Sequence, residues 1–163
     1  MGRHMEQPII IPFGPSGLGR IEFKVQVQTG NGLSLGDVTF KLDSGSDFTT
    51  LSCEDLESLG YTQAFLQACP FHHVSASAAS SDVEFKLQYL KSVAIKLGEH
   101  ELKGCRIFFI LGSKLRSLLG CDILKYFNYE INYDKGEMRL NKAVNAPELS
   151  RGETPIHIYL IES

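Results

Sequence analysis

Asp43-Ser44-Gly45 ends the apolar run Val38-Thr39-Phe40-Lys41-Leu42. A carboxylate at the tip of a strand, then a hydroxyl, then a residue free to turn sharply, is a composition suited to general acid/base work. General acid/base hydrolysis needs a water made nucleophilic and a proton for the departing atom. Two carboxylates about 3 Å apart supply both, because like charges that close cannot both ionise easily and one stays protonated. The tripeptide occurs once, so chemistry built on two such groups requires a second copy of the chain. Alone, the tripeptide also fits an ordinary strand-ending turn. At average composition Asp-Ser/Thr-Gly arises by chance in on the order of one chain in ten of this size, so its surroundings must decide.

Other reactive side chains are weaker candidates. Cys69-Pro70-Phe71-His72-His73 offers zinc-type ligands, but adjacent histidines rarely face one ion and a second half of the site is missing. No metal and no cofactor is expected. The four cysteines, Cys53, Cys69, Cys105 and Cys121, form no Cys-x-x-Cys pair. Nothing suggests secretion, so they read as reduced and mostly in the core of a cytoplasmic protein.

The elements that must position Asp43 are short strands. Residues 21–28 alternate apolar and polar at period two. Thr29-Gly30-Asn31-Gly32 supplies a turn, and Leu35 to Leu42 returns as a second strand. Ser52 can cap a short helix ending at Gly60, with Glu54 and Asp55 in its first turn. Thr62 to Cys69 adds a turn or two of helix before Pro70. Val74 to Asp82 is a tract of small residues without apolar anchors, expected to be mobile, and it leads into a strand at Val83 to Tyr89. A hairpin is predicted from Val93-Leu97 and Cys105-Leu111, with Phe108 to Leu111 fully buried. A helix over Asp122 to Phe127 and a hairpin across Asp134-Lys135-Gly136 follow. Ile156 to Ile161 reads as a strand without an obvious local partner.

At 163 residues and 43% hydrophobic content, one domain can bury about 70% of the surface its unfolded chain exposes. The net charge of −3 and the lack of a basic stripe argue against nucleic acid. Lys114-Leu115-Arg116 reads as a solvated turn. No apolar stretch approaches the ~20 residues needed to cross a bilayer, so no membrane insertion is expected. Met1-Gly2-Arg3-His4-Met5 reads as a cloning remnant before a second start.

Three features occur in order: Leu42-Asp43-Ser44-Gly45-Ser46-Asp47-Phe48-Thr49, the small-residue tract Val74 to Asp82, and Leu118-Leu119-Gly120-Cys121-Asp122-Ile123-Leu124. Over roughly Ile21 to Leu140 this resembles the retropepsin-like aspartic proteases, the single-domain relatives of pepsin that work as homodimers. The resemblance implies an all-β, closed, barrel-like fold with short helices over residues 6–141. The tail 142–163 would carry a dimer-interface strand at 155–161. It implies an endopeptidase cleaving extended peptides, with Asp43 as the catalytic carboxylate, Ser44 bonding across the two-fold axis and Gly45 turning the chain. Asp47 would bind substrate backbone and support the dimer. Ser75, Ala76, Ser77 and Ala78 would form a flap over the substrate. Leu119 and Gly120 would pack behind the catalytic loop, and Asp122 would have a structural role. The sequence departs from the family twice. The flap tract has no glycine, and Cys121 stands where some viral members carry an arginine that pairs with the acid matching Asp47; Arg20 and Arg116 are the candidate substitutes. A catalytically weak peptide-binding or dimerisation module of the same fold is the competing reading.

Overall fold

The computed structural model describes residues 7–14, 20–28, 35–78, 81–98, 100–143 and 157–160; for 73–78, 81–86 and 157–160 it describes the backbone alone. The predicted turn at 29–32 lies outside these residues. Period-two patterning produces the first pair of barrel strands. In β2 (Glu22–Gln28) Phe23, Val25 and Val27 are buried while Lys24 and Gln26 face outward. β3 (Leu35–Leu42) buries Val38 and Phe40 in the same way. The two pair antiparallel from Glu22↔Lys41 to Gln28↔Leu35.

Two short helices follow. α1 (Cys53–Ser58) starts where Ser52 Oγ accepts the Asp55 N–H at 3.1 Å, and stops before Gly60, whose φ of 93° suits glycine. α2 (Gln63–Gln67) is capped by Thr62 and ends ahead of Pro70.

The small-residue tract is strand rather than a linking loop. Val74 to Ala78 completes β4 (Phe71–Ala78), and Ser81-Asp82 opens β5 (Ser81–Leu97). β4 and β5 pair from Phe71↔Gln88 to Ala78↔Ser81. Backbone hydrogen bonds make this hairpin, and they do not require the apolar side chains that the tract lacks. β5 continues past the hairpin into the barrel, where it pairs with β6 (His100–Phe109) and β2. The register shifts around Lys91-Ser92, with Ser92 at φ 55°, bend the strand between its two tasks. β6 starts five residues earlier than the sequence predicts, because Gly98, at φ 58°, makes the turn tight. It stops at Phe109, leaving Ile110 and Leu111 half-buried beyond it rather than fully buried within it.

β7 (Leu118–Leu119) runs parallel to the end of β3, at Lys41↔Leu118 and Leu42↔Leu119. Thr50 bridges Leu118 on one side and Phe108 of β6 on the other. The sheet order β6-β5-β2-β3-β7 therefore returns to β6 through Thr50, which closes the barrel.

α3 (Cys121–Leu124) is shorter than predicted, since Phe127 already opens β8 (Phe127–Asn132). β8 pairs with β9 (Glu137–Lys142) across the predicted turn. β1 (Ile9–Pro12) pairs with the other side of β9, a strand not legible locally because its partner lies at the far end of the chain. β10 (His157–Leu160) is not partnerless: it pairs with His100 to Lys103 of β6 in the same chain. One core spans both sheets, running from Phe40 and Phe109 to Met138 and Leu140.

Phe109 is fully buried where β6 crosses this core. Phe109→Ala should cost about 3–5 kcal/mol, seen as a lower urea midpoint at unchanged slope.

Candidate active site

The Asp43 loop begins where β3 runs out of antiparallel partner and meets β7. Lys41 N–H donates to Ser117 O at 3.0 Å and Asp43 N–H to Leu119 O at 3.0 Å. Asp43 is thereby fixed by its backbone, leaving its half-buried side chain at the barrel rim. Ser46 N–H reaches back to Asp43 O at 3.2 Å, closing the turn. Gly45 N–H donates to Asp43 Oδ1 at 3.0 Å, which orients the carboxylate. Ser44, Gly45 and Asp47 are exposed.

Behind this loop sits Gly120. A Cβ there would lie 2.5 Å from Phe48 O, 2.6 Å from Phe48 C and 2.9 Å from Ser46 O. These are backbone atoms and cannot swing aside, so the close approach needs glycine.

Thr49 and Asp122 lock the two segments together. Asp122 Oδ2 accepts Thr49 N–H at 2.9 Å, and Oδ1 accepts the Thr49 hydroxyl at 2.6 Å and Ile123 N–H at 3.0 Å. The same hydroxyl accepts Gly120 N–H at 3.0 Å. Thr49 is fully buried, and its polar atoms are all satisfied: the N–H and hydroxyl by this web, the carbonyl by Phe108 N–H at 3.0 Å. Burial pushes the Asp122 carboxyl above its ordinary value of 3.8, while the bonds from Thr49 and Ile123 and the Lys125 charge oppose that rise.

Cys121 ties the loop down from the same side. Its N–H donates to Ser46 O at 2.8 Å and its thiol to Ser44 O at 2.9 Å. Burial, then the charges of Asp47, Asp122 and Asp43, push its pKa up, which keeps the sulfur protonated and able to donate. Arg116, one of the two candidate substitutes for an arginine at that position, lies 3.8 Å from Glu22. All four cysteines are free, and among the described residues no cluster of three potential ligands could hold a metal ion.

The loop also touches the base of the β4–β5 hairpin. The Phe48 ring lies 4.7 Å from Phe108 and 5.8 Å from His72, and Tyr89 stacks at 5.7 Å on Phe108 with the Arg106 guanidinium 5.0 Å from its ring. Ser75, Ala76, Ser77 and Ala78 extend from His72 along β4, opposite Glu84, Val83, Asp82 and Ser81. A cavity of about 590 Å³ lies beside Lys41, Asp55 and Arg116, away from Asp43.

The structure thus brings Asp43, Ser44, Gly45, Leu119, Gly120 and Asp122 into one block. The sequence reading gave no role to Thr49 or Phe48, although both lie within the segment it singled out. Thr49 could have been found from its type, since a threonine between apolar strands must place its hydroxyl somewhere.

No protein-family model matches the sequence. No curated protein matches it either. Among solved structures, the crystal structure of a retropepsin-like aspartic protease from Rickettsia conorii matches with a TM-score of 0.54, over 83% of this chain and 90% of that one, at 23% identity. This chain has a retropepsin-like fold. At that identity the likeness is one of fold. Within it, this chain carries Cys121 after Gly120 and a β4 segment, Ser75 to Ala78, without glycine.

Gly120→Ala should force the Ser46–Phe48 backbone outward. Thermal unfolding should show a loss of several degrees, with the Gly45-to-Asp43 contact disturbed in a crystal structure of the variant. Asp122→Ala should cost about 3 kcal/mol, because it strands the Thr49 donors. The raised carboxyl of Asp122 binds its proton more tightly folded than unfolded, so its contribution to stability falls as pH rises through the interval above 3.8. Asp122→Asn should remove that slope from urea midpoints measured across acidic pH.

Proposed function

We propose that this chain is an aspartic endopeptidase that acts as a homodimer, with Asp43 of one protomer and the partner's Asp43 activating a water between them. The observation that carries the reading is the built state of the Asp43 loop. Its carboxylate is oriented by Gly45 N–H, its backbone is held on β7, and Gly120 fits behind it with no room for a side chain. An incidental turn needs none of these. The retropepsin-like fold supports the same reading.

In this mechanism the ionised carboxylate takes a proton from water, and the protonated one polarises the scissile carbonyl and passes a proton to the leaving nitrogen. The attack is direct, with no covalent intermediate. The two groups share a proton, so their titration belongs to the pair. Substrate would lie extended between the Asp43 loop and the β4–β5 hairpin, held by strand-like backbone bonds. Asp47, exposed on the same loop, would receive substrate backbone N–H groups. Phe48 and His72, half-buried and exposed respectively, offer apolar and aromatic contact for a substrate side chain.

A second reading follows from the hairpin. Ser75-Ala76-Ser77-Ala78 lacks glycine, and alanine is denied conformations open to glycine. A hairpin that cannot close productively would leave a peptide-binding or dimerisation module with little or no activity.

Cleavage of an unfolded protein by the full chain, with kcat/KM reduced at least about 100-fold in Asp43→Asn, is the expected result. Equal residual activity in that variant would place the activity elsewhere. Binding of extended peptides without cleavage by the wild type would favour the module. The rate should rise and fall with pH as a bell, and a flat profile from acid to alkali would argue against a shared proton.

A further inference from the structure

The cavity beside Lys41, Asp55 and Arg116 measures about 590 Å³, within the range of small-ligand sites. It stops short of Asp43, yet β3 joins the two. Thr39 and Lys41 alternate with the buried Val38 and Phe40, so both stand on the outer face of β3, where they line the cavity. Asp43 N–H still bonds to Leu119 O, so the extended chain runs on to Asp43, and strand alternation sets its side chain on the Lys41 side. Two residues of strand separate them, about 7 Å. The other wall is the segment Ser113 to Ser117. It is tied to β3, because Ser117 O accepts Lys41 N–H at 3.0 Å.

The formal charge of the lining balances, with Lys41, Lys114 and Arg116 against Glu22, Glu54 and Asp55. The charge left free to meet a ligand does not. Glu22 faces Arg116 at 3.8 Å. Asp55 Oδ2 accepts the Ser117 hydroxyl. Glu54 stands exposed in the first turn of α1, where the unpaired helix N–H groups favour a carboxylate. Among the described residues, Lys41 and Lys114 make no ion pair. Lys41 is half-buried, so its charge is screened less than one on an open surface. Leu115, also half-buried, adds an apolar strip to the wall. Two uncommitted ammonium groups beside an apolar strip match a short apolar stem that ends in a carboxylate.

We infer that, given the two-carboxylate reading of Asp43, this cavity receives a glutamate or aspartate side chain of the peptide lying across Asp43, and that Lys41 and Lys114 select it. A bound strand advances about 3.3 Å per residue, so the acid stands within about two positions of the bond over Asp43. In a two-fold pair the cavity occurs once on each side of that bond, which favours acids on both sides. A lysine or arginine at the same place would meet two like charges, so the cavity rejects as well as selects.

Cleavage sites mapped by mass spectrometry on an unfolded protein, keeping those lost in Asp43→Asn, should be enriched in acids within about two positions of the bond. Paired peptides built on such a site, with glutamate or its isostere glutamine on both sides, measure the preference. With the full chain, kcat/KM should favour glutamate about fivefold or more, the upper end for a partly exposed ion pair, and less as salt rises. Lys41→Glu should turn the preference toward a lysine peptide. If that variant fails to fold by far-UV circular dichroism, Lys114→Glu, on the exposed loop, should cut the glutamate preference by about half. Mapped bonds without acidic enrichment, or a preference that the charge reversals leave unchanged, would overturn the inference and leave the peptidase reading in place. An equal loss on both peptides in Lys41→Glu would do the same, by assigning Lys41 to the Asp43 loop rather than to substrate. If the chain cleaves nothing, fluorescence anisotropy of the same peptides decides. Tighter binding of the glutamate peptide would uphold the inference while sinking the peptidase reading, and equal binding or none would sink both.

Discussion

The close approach of Gly120 to the backbone of Ser46 and Phe48 is the constraint on which the rest of the site depends. It sets two chain segments, more than seventy residues apart, at a distance that only glycine allows. Backbone that close would leave polar groups stranded, and Thr49 and Asp122 resolve this. One buried hydroxyl both donates to a carboxylate and accepts the Gly120 N–H. A buried polar web is stabilising only when each member is satisfied, and here the members come from both segments. The loop bearing Asp43 therefore inherits its position from the start of α3.

That arrangement explains the barrel's odd closure. β7 is two residues long, too short to stand alone as a strand. It persists because it is pinned between β3 on one side and Thr50 on the other. The same Thr50 reaches Phe108, so the loop that carries the carboxylate also seals the sheet. Displacing the loop would open the barrel, so the Asp43 loop is held as stiffly as the sheet it closes. Cys121 adds two further ties, through its N–H to Ser46 O and through its thiol to Ser44 O.

The β4–β5 hairpin is built on a different principle. Its pairing is continuous along the backbone, and its root is anchored by the Phe48, His72 and Phe108 rings. Cation–π contact from Arg106 to Tyr89 stiffens the same root.

Much was legible in the sequence because it is local. Period-two alternation marked β2 and β3, Ser52 and Gly60 bracketed α1, and Asp134-Lys135-Gly136 announced the β8–β9 turn, since each depends on a few adjacent residues. The singleness of Asp43-Ser44-Gly45 was a count, and it fixed what a two-carboxylate chemistry would require. The tertiary structure decided what depends on distant partners. It turned Ser75 to Ala78 from a linking tract into a strand by pairing it with Ser81 to Glu84. It drew Ile9 to Pro12 onto β9, and gave the last strand a place on β6. It assigned Thr49 and Asp122 to one another, because a hydrogen bond across seventy residues leaves no mark on the periodicity of either segment.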